Sequence, residues 1–240
     1  MYENAVITAV DKPLPGAYLR GYALIGANLV IGESGRERFG EVRSGQDGAY
    51  VSVSPEPGGR VSIGTDDTGY AKLFLYHSGD NWALGASLME LAEYVSDRSW
   101  ELTVDRSQLQ NFLLRGMIGN QLTSHHTVFS EIRLLAPTTD VVVSDGLKPS
   151  IEIRRRVDER PSDYANVLQD GLDEVTGLLR TLIQSDIPVV SDITGGRDSR
   201  VVLALLQTAN STGQSLGRHV RFRSNRRNSA DWPVKSRVVV

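Results

Sequence analysis

The 240-residue chain contains no cysteine. That absence excludes disulfides, thiolate metal sites and a cysteine nucleophile, and it fits a reducing compartment. Long hydrophobic runs are absent too. The longest, Tyr22 to Ile31, is broken by Gly26 and Asn28 and falls far short of the ~20 apolar residues a spanning helix needs. Met1-Tyr2-Glu3-Asn4 carries neither the basic start nor the apolar core of a signal peptide. A cytoplasmic protein without a membrane partner is therefore expected. Neither charge sign dominates: 26 Lys and Arg stand against 29 Asp and Glu, for a net charge of −3. No internal repeat or low-complexity tract is present. With 40% hydrophobic and 23% charged residues, the composition is that of a globular protein. The length allows one large domain or two of modest size.

The charge is unevenly spread. Arg218, Arg221, Arg223, Arg226, Arg227, Lys235 and Arg237 crowd the end of the chain, where Asp231 is the lone acid. Such a stretch can be a nucleic-acid footprint, a solvated face or a wall toward a nucleotide phosphate. Phe222 and Trp232 are the only aromatics there, too few for a base-stacking platform, so nucleic acid is not the expected partner.

The first 100 residues read mostly as strand. β-rich runs at Ala5–Val10, Tyr22–Ile31, Ala49–Val53, Arg60–Gly64 and Ala71–Tyr76 are separated by glycine- and proline-rich turns. Ser78-Gly79-Asp80-Asn81 is a hairpin signal. A helix follows with Leu88, Leu91, Ala92 and Val95 on one face, and a second starts near Ser107 with Leu109, Phe112, Leu113 and Met117 at helical spacing. Strands return at Glu131–Leu135, Asp140–Val143 and Ser150–Arg154.

The pattern changes after Arg156. Ser162 reads as the N-cap of a long helix in which Leu168, Leu172, Val175, Leu179 and Leu182 recur at alternating spacings of four and three. This stripe is expected to be core. A β-run Ile187–Ile193, a glycine loop Thr194–Ser199, a helix Arg200–Ala209 and a strand His219–Arg223 then compose a βαβ unit, which implies a parallel sheet. The expected domain boundary lies at residues 154–161.

The loop Thr194-Gly195-Gly196-Arg197-Asp198-Ser199 carries the chemistry. A glycine pair after a buried strand lets the backbone turn tightly and approach a ligand. The helix that begins at Asp198 or Ser199 aims unpaired N–H groups and its positive dipole end at the same point, and Thr194 and Ser199 add hydroxyls. The result is an anion cradle of phosphate size. It is neither a Walker loop, for want of a lysine, nor a G-x-G-x-x-G fingerprint. A carboxylate beside bound phosphate is repulsive unless a cation bridges them, so Asp198 argues for Mg²⁺. The plainer alternatives are a tight strand-to-helix turn without a ligand, Asp198 as a simple helix cap, and Arg197 and Arg200 as solvated or ion-paired side chains. His125-His126 lacks a third ligand at metal spacing and reads as polar loop. Asp66-Asp67, in a Gly-Thr…Thr-Gly context, reads as turn chemistry.

Thr194-Gly195-Gly196-Arg197-Asp198-Ser199 resembles the SGGxDS pyrophosphate loop of the ATP-pyrophosphatase superfamily, with threonine for the first serine. Further resemblances narrow this to the asparagine synthetase family, which includes β-lactam synthetases and lasso-peptide cyclases. Ile63-Gly64-Thr65-Asp66-Asp67-Thr68-Gly69 followed by Ala71–Tyr76, Gly85-Ala86-Ser87 before a helix, and Ile132-Arg133-Leu134-Leu135-Ala136-Pro137 before a valine-rich strand are similar to landmarks of that family's amidotransferase domain. The resemblance covers about residues 45–235. It implies α+β followed by α/β architecture. Residues 1–155 would form a degraded class II amidotransferase-like, Ntn-type sandwich. Residues 156–240 would be the N-terminal part of a PP-loop, adenine-nucleotide alpha-hydrolase-like parallel domain. Ile193, Thr194, Gly195, Gly196, Asp198, Ser199 and Phe222 would bind ATP and pyrophosphate, with Asp198 holding Mg²⁺.

Three departures qualify the resemblance. The family's glutaminase nucleophile is a cysteine exposed after Met removal, and Tyr2 stands there. The early amidotransferase segment, which holds the glutamine-binding residues, is shortened. The synthetase domain of the family continues well past the loop, so the chain reads as incomplete, without the family's second magnesium ligand or its acyl-substrate residues. The implied activity is ATP-dependent amide-bond formation through an acyl-adenylate, releasing AMP and pyrophosphate. The substrate would be a small carboxylate or a peptide. Nitrogen would come from ammonia, an amine or a separate glutaminase. The alternatives are a truncated, inactive remnant or weak nucleotide binder, and another PP-loop enzyme such as a tRNA thiolase or NAD synthetase.

Overall fold

The structure, a computed structural model, describes residues 6–114, 124–144, 148–153, 163–185, 189–193, 196–210 and 220–224. It is a mixed α and β protein that divides into two compact units. The first comprises Met1–Ala23 and Val30–Val157, and the second Leu24–Leu29 and Asp158–Val240.

Among the described residues, ten strands build two antiparallel sheets. They are β1 (Val6–Ala9), β2 (Tyr18–Ile25), β3 (Asn28–Ile31), β4 (Asp47–Glu56), β5 (Arg60–Thr65), β6 (Phe74–Ser78), β7 (Asn81–Gly85), β8 (Ile132–Leu134), β9 (Thr139–Ser144) and β10 (Ser150–Ile153). One sheet has four strands in the order β1-β7-β6-β8, the other six in the order β10-β9-β5-β4-β2-β3. Period-two alternation decides which face each strand buries. Val51 and Val53 of β4, Val61 and Ile63 of β5, and Val141 and Val143 of β9 meet Leu73, Leu75, Trp82 and Leu84 in a single apolar layer. The other face of the four-stranded sheet, with Phe74, Tyr76 and Ala83, packs on Leu91, Ala92 and Val95 of helix α2 (Leu88–Asp97). Ser87 caps that helix by accepting from the Glu90 N–H, as expected of a serine at an N-terminus.

The run read as one strand over 22–31 is two. Gly26, at φ +55°, turns the chain between β2 and β3, a left-handed conformation that costs glycine nothing. Helix α1 (Gly32–Phe39) has no apolar stripe and buries none of its residues, so hydrophobic periodicity gives no sign of it. It is tied down instead by Glu33, which accepts from the Leu19 N–H and from Arg36. In α3 (Arg106–Leu114), Leu113 is exposed and not part of a core face. Met117 lies outside the described residues.

The expected turn at Asp66 is a buried carboxylate knot. Asp66 accepts from Thr68 Oγ1 at 2.9 Å, from the Tyr70 N–H at 2.8 Å and from the Ala71 N–H at 2.8 Å. Gly69 inside the loop has φ +70°, and a Cβ there would collide with Pro137. The Asp66 side chain and Gly69 together set the path into β6.

In the second unit, α4 (Tyr164–Gln184) packs on α5 (Arg197–Ala209) through Leu179, Ile183, Leu206 and Ala209. Strands β11 (Val189–Ile193) and β12 (Val220–Ser224) pair in parallel. Two expectations are corrected here. Asp163, not Ser162, caps α4, its side chain accepting from the Ala165 N–H; Ser162 lies outside the described residues. Most of the leucine stripe is not core either. Leu168, Leu172 and Val175 are 40–50% exposed, whereas Thr176 and Thr181 are buried. Only the last turns of α4 meet α5, so the apolar stripe runs past its packing partner.

Candidate phosphate site

Helix α5 has Gly196 as its N-cap, in extended conformation with φ −73° and ψ 167°. The helix therefore begins at Arg197, one or two residues earlier than the pattern suggested. Asp198 is its second residue and not its cap. Gly196 and Asp198 are exposed, and Ser199 is half-buried. A glycine cap supplies no side-chain oxygen, so the first-turn N–H groups receive nothing from the cap's own side chain.

Two side chains fold back onto this end. Ser199 Oγ and Arg200 Nε each donate to the Gly196 carbonyl, both at 3.3 Å. Arg200 is thus anchored at the loop, a role that spacing alone did not suggest. Asp198 sits in the first turn, where its negative charge is favoured by the helix dipole.

Ile193 ends β11, and parallel register places it opposite Ser224, while Phe222 lies opposite Ser191. Thr194 and Gly195 lie outside the described residues. The structure thus brings the end of β11, the start of α5 and the end of β12 into one strand–helix–strand succession. It places Gly196, Asp198 and Ser199 together on a single turn. Ser224, which spacing does not single out, ends β12 as the register partner of Ile193. The signal for it is parallel pairing, because ligands of open α/β sheets bind at the carboxyl ends of the strands, and Ser224 is the terminal residue of β12 beside Ile193.

The paired histidines have local structural roles. His125 Nδ1 lies 3.0 Å from the Leu134 carbonyl, and His126 forms a β-bridge with Arg133. Among the described residues, no group of three or more His, Cys, Asp or Glu side chains is placed to hold a metal ion. No described helix is long and apolar enough to cross a membrane. No protein-family model matches the chain, and no curated protein matches it.

Proposed function

We propose that the second unit binds the pyrophosphate portion of MgATP, and that the chain belongs to an asparagine-synthetase-like machinery for ATP-dependent amide-bond formation. The observation that carries the reading is the strand–helix–strand unit β11–α5–β12. Its helix starts on a glycine cap, with a carboxylate and a hydroxyl in the first turn. Such a helix end offers backbone N–H donors and a positive dipole end to a phosphate oxygen.

In this reading Thr194, Gly195, Gly196 and Ser199 hold the departing pyrophosphate, and Ile193 and Phe222 lie toward the nucleoside. Asp198 is an exposed single carboxylate. It fits a Mg²⁺ ion delivered on the nucleotide, because Mg²⁺ commonly keeps several waters and takes one or two carboxylates besides substrate phosphates. Bound there, Mg²⁺ would neutralise charge developing on pyrophosphate as a carboxylate substrate attacks the α-phosphate. The protein's own work is to fix the phosphates and present donors to them.

The first unit would be an Ntn-type amidotransferase-like sandwich without glutaminase chemistry. Its two antiparallel sheets, packed face to face with α2 on one side, support that reading. No cysteine is present to act as nucleophile. Nitrogen would then come from ammonia, an amine substrate or a separate glutaminase.

A second reading, a nucleotide binder without catalysis, is favoured by one observation. The apolar stripe of α4, with Leu168, Leu172 and Val175, stands 40–50% exposed beside the strand–helix–strand unit. Isothermal titration with MgATP and with pyrophosphate tests the site, and carboxylate-dependent ATP–pyrophosphate exchange tests catalysis. Binding with exchange supports the ligase reading, and binding without exchange the second. A folded chain that binds neither ligand would overturn both.

A further inference from the structure

The first unit holds a cavity of about 550 Å³, within the roughly 300–1,000 Å³ typical of small-molecule sites. It lies on the face of β4, β5 and β9 opposite the valine layer. Alternation that sends Val51, Val53, Val61 and Ile63 into the core sends Ser52, Ser54 and Ser62 to this face. Ser54 and Ser62 are register partners across the two strands, as are Ser52 and Gly64. Gly64 has a specific task here. A Cβ at that position would collide with the Asp140 carboxylate and with Ser44, whose hydroxyl donates to Asp140 Oδ2 at 2.9 Å. The glycine makes room for that pair at the cavity wall.

Ser52 is the informative residue. It is only 1% exposed and lines the cavity, yet its hydroxyl makes no hydrogen bond among the described residues. Buried hydroxyls without partners are costly, and native proteins satisfy nearly all of them. The Ser52 hydroxyl faces a cavity large enough for water or a small molecule and is available to hydrogen-bond whatever occupies it.

The charges around the cavity select the kind of ligand. Arg43 and Arg60 face Glu41, Glu56 and Asp140. An anion would meet more carboxylates than guanidiniums, and a metal ion would meet arginines. Arg60 already pairs with Glu56 at 2.9 Å, so a zwitterion would have to break an existing ion pair to engage both. A neutral molecule rich in hydroxyls meets none of these penalties. Each of its hydroxyls can donate to a carboxylate or serine and accept from a guanidinium or serine. We propose that this cavity is a binding site for a neutral polyhydroxylated molecule of mono- to disaccharide size, separate from the phosphate site of the other unit.

The test is saturation-transfer NMR on the full chain with glucose, maltose and sorbitol at millimolar concentration, with glycine betaine and inorganic phosphate as the charged comparisons. At least one neutral polyol should bind, and neither charged probe should displace it. Ser52→Ala should weaken that binding about tenfold, the loss expected for one hydrogen bond of about 1.4 kcal/mol. Its Tm should not fall, because the hydroxyl has no hydrogen-bond partner among the described residues. Ser62→Ala is the second variant, with the same expectation. Binding of none of the three polyols, preferential binding of betaine or phosphate, or unchanged polyol binding in both variants would overturn the proposal.

Discussion

The hydroxyl of Ser199 donates to the carbonyl of Gly196 over 3.3 Å, closing the first turn of α5 back onto its cap. A phosphate that recruited Ser199 as a donor would have to take this hydrogen away from the carbonyl. Ser199→Ala should therefore leave stability within about 0.5 kcal/mol, as for other surface positions. It should lower pyrophosphate affinity several-fold. Urea unfolding and calorimetric titration on the same preparations separate the two effects.

Asp198→Asn removes a first-turn charge without disturbing the cap, which is Gly196. The cost to stability should be the dipole contribution of about 0.3–1 kcal/mol. Nucleotide affinity in the presence of Mg²⁺ should fall at least about tenfold, the effect of losing about 1.4 kcal/mol, and affinity without Mg²⁺ should fall much less. Equal MgATP affinity in variant and wild type would remove the metal role from Asp198.

Asp66 is fully buried, and its carboxylate takes both the Tyr70 and the Ala71 N–H. Asp66→Ala removes two backbone hydrogen bonds to a fully buried carboxylate, at about 1–3 kcal/mol each for bonds to a charged group. A loss of about 2–5 kcal/mol in equilibrium unfolding is expected. Thr68→Ala removes a single exposed donor to the same carboxylate and should cost about 1 kcal/mol or less.

Asp11, Tyr94 and Arg98 set the pH dependence of one corner of the first unit. Burial alone would raise the Asp11 carboxyl, but hydrogen bonds from Tyr94 and Arg98 outweigh it and hold the carboxyl below its ordinary value. Its stabilisation is therefore present above about pH 4, the unfolded value, and is lost as pH falls through the lower folded one. The Tyr94 phenol is raised, by burial foremost and then by its bond to Asp11 and that residue's charge. Its contribution is complete below about pH 10 and declines as pH rises toward the folded value. Asp11→Asn should flatten the acid limb of a stability–pH curve, at a cost near neutrality of about 1 kcal/mol or less.

The exposed stripe of α4 makes a prediction that pattern alone would reverse. Leu172 and Leu206 are equivalent leucines on amphipathic helices, yet Leu172 is 40% exposed and Leu206 only 2%. Leu206→Ala should cost about 2–5 kcal/mol. Leu172→Ala should cost clearly less than Leu206→Ala, because 40% of its surface stays in water in the folded chain. Chemical denaturation of the two variants side by side checks the ranking.

Much of the fold is legible in local pattern. The alternation of Val51, Val53, Val61 and Ile63 marks two strands and their buried face, because successive side chains must point to opposite sides. Gly79, between Ser78 and Asn81, marks the β6–β7 hairpin that the register Ser78↔Asn81 displays. Helix α1 was not legible, since a helix held by Glu33 and Arg36 and burying none of its residues leaves no apolar period. At the candidate site the residue types around Gly196 were readable. Gly196 as the cap, Arg200 on its carbonyl and Ser224 beside Ile193 were not, because hydrogen-bond direction and strand register are not written in spacing.

By itself the sequence determined the strands and helices that carry an apolar period, such as β4, β5 and α2, since these follow from side-chain period within a few residues. The tertiary structure alone decided which surfaces lie against a partner. It left Leu168 and Leu172 exposed while burying Thr176 on the same helix, and it opened the hydroxyl face of β4 and β5 into a cavity. The physical reason is that burial belongs to pairs of surfaces: a periodic stripe states which face of an element is apolar, and only the neighbour across from it determines how much of that face leaves water.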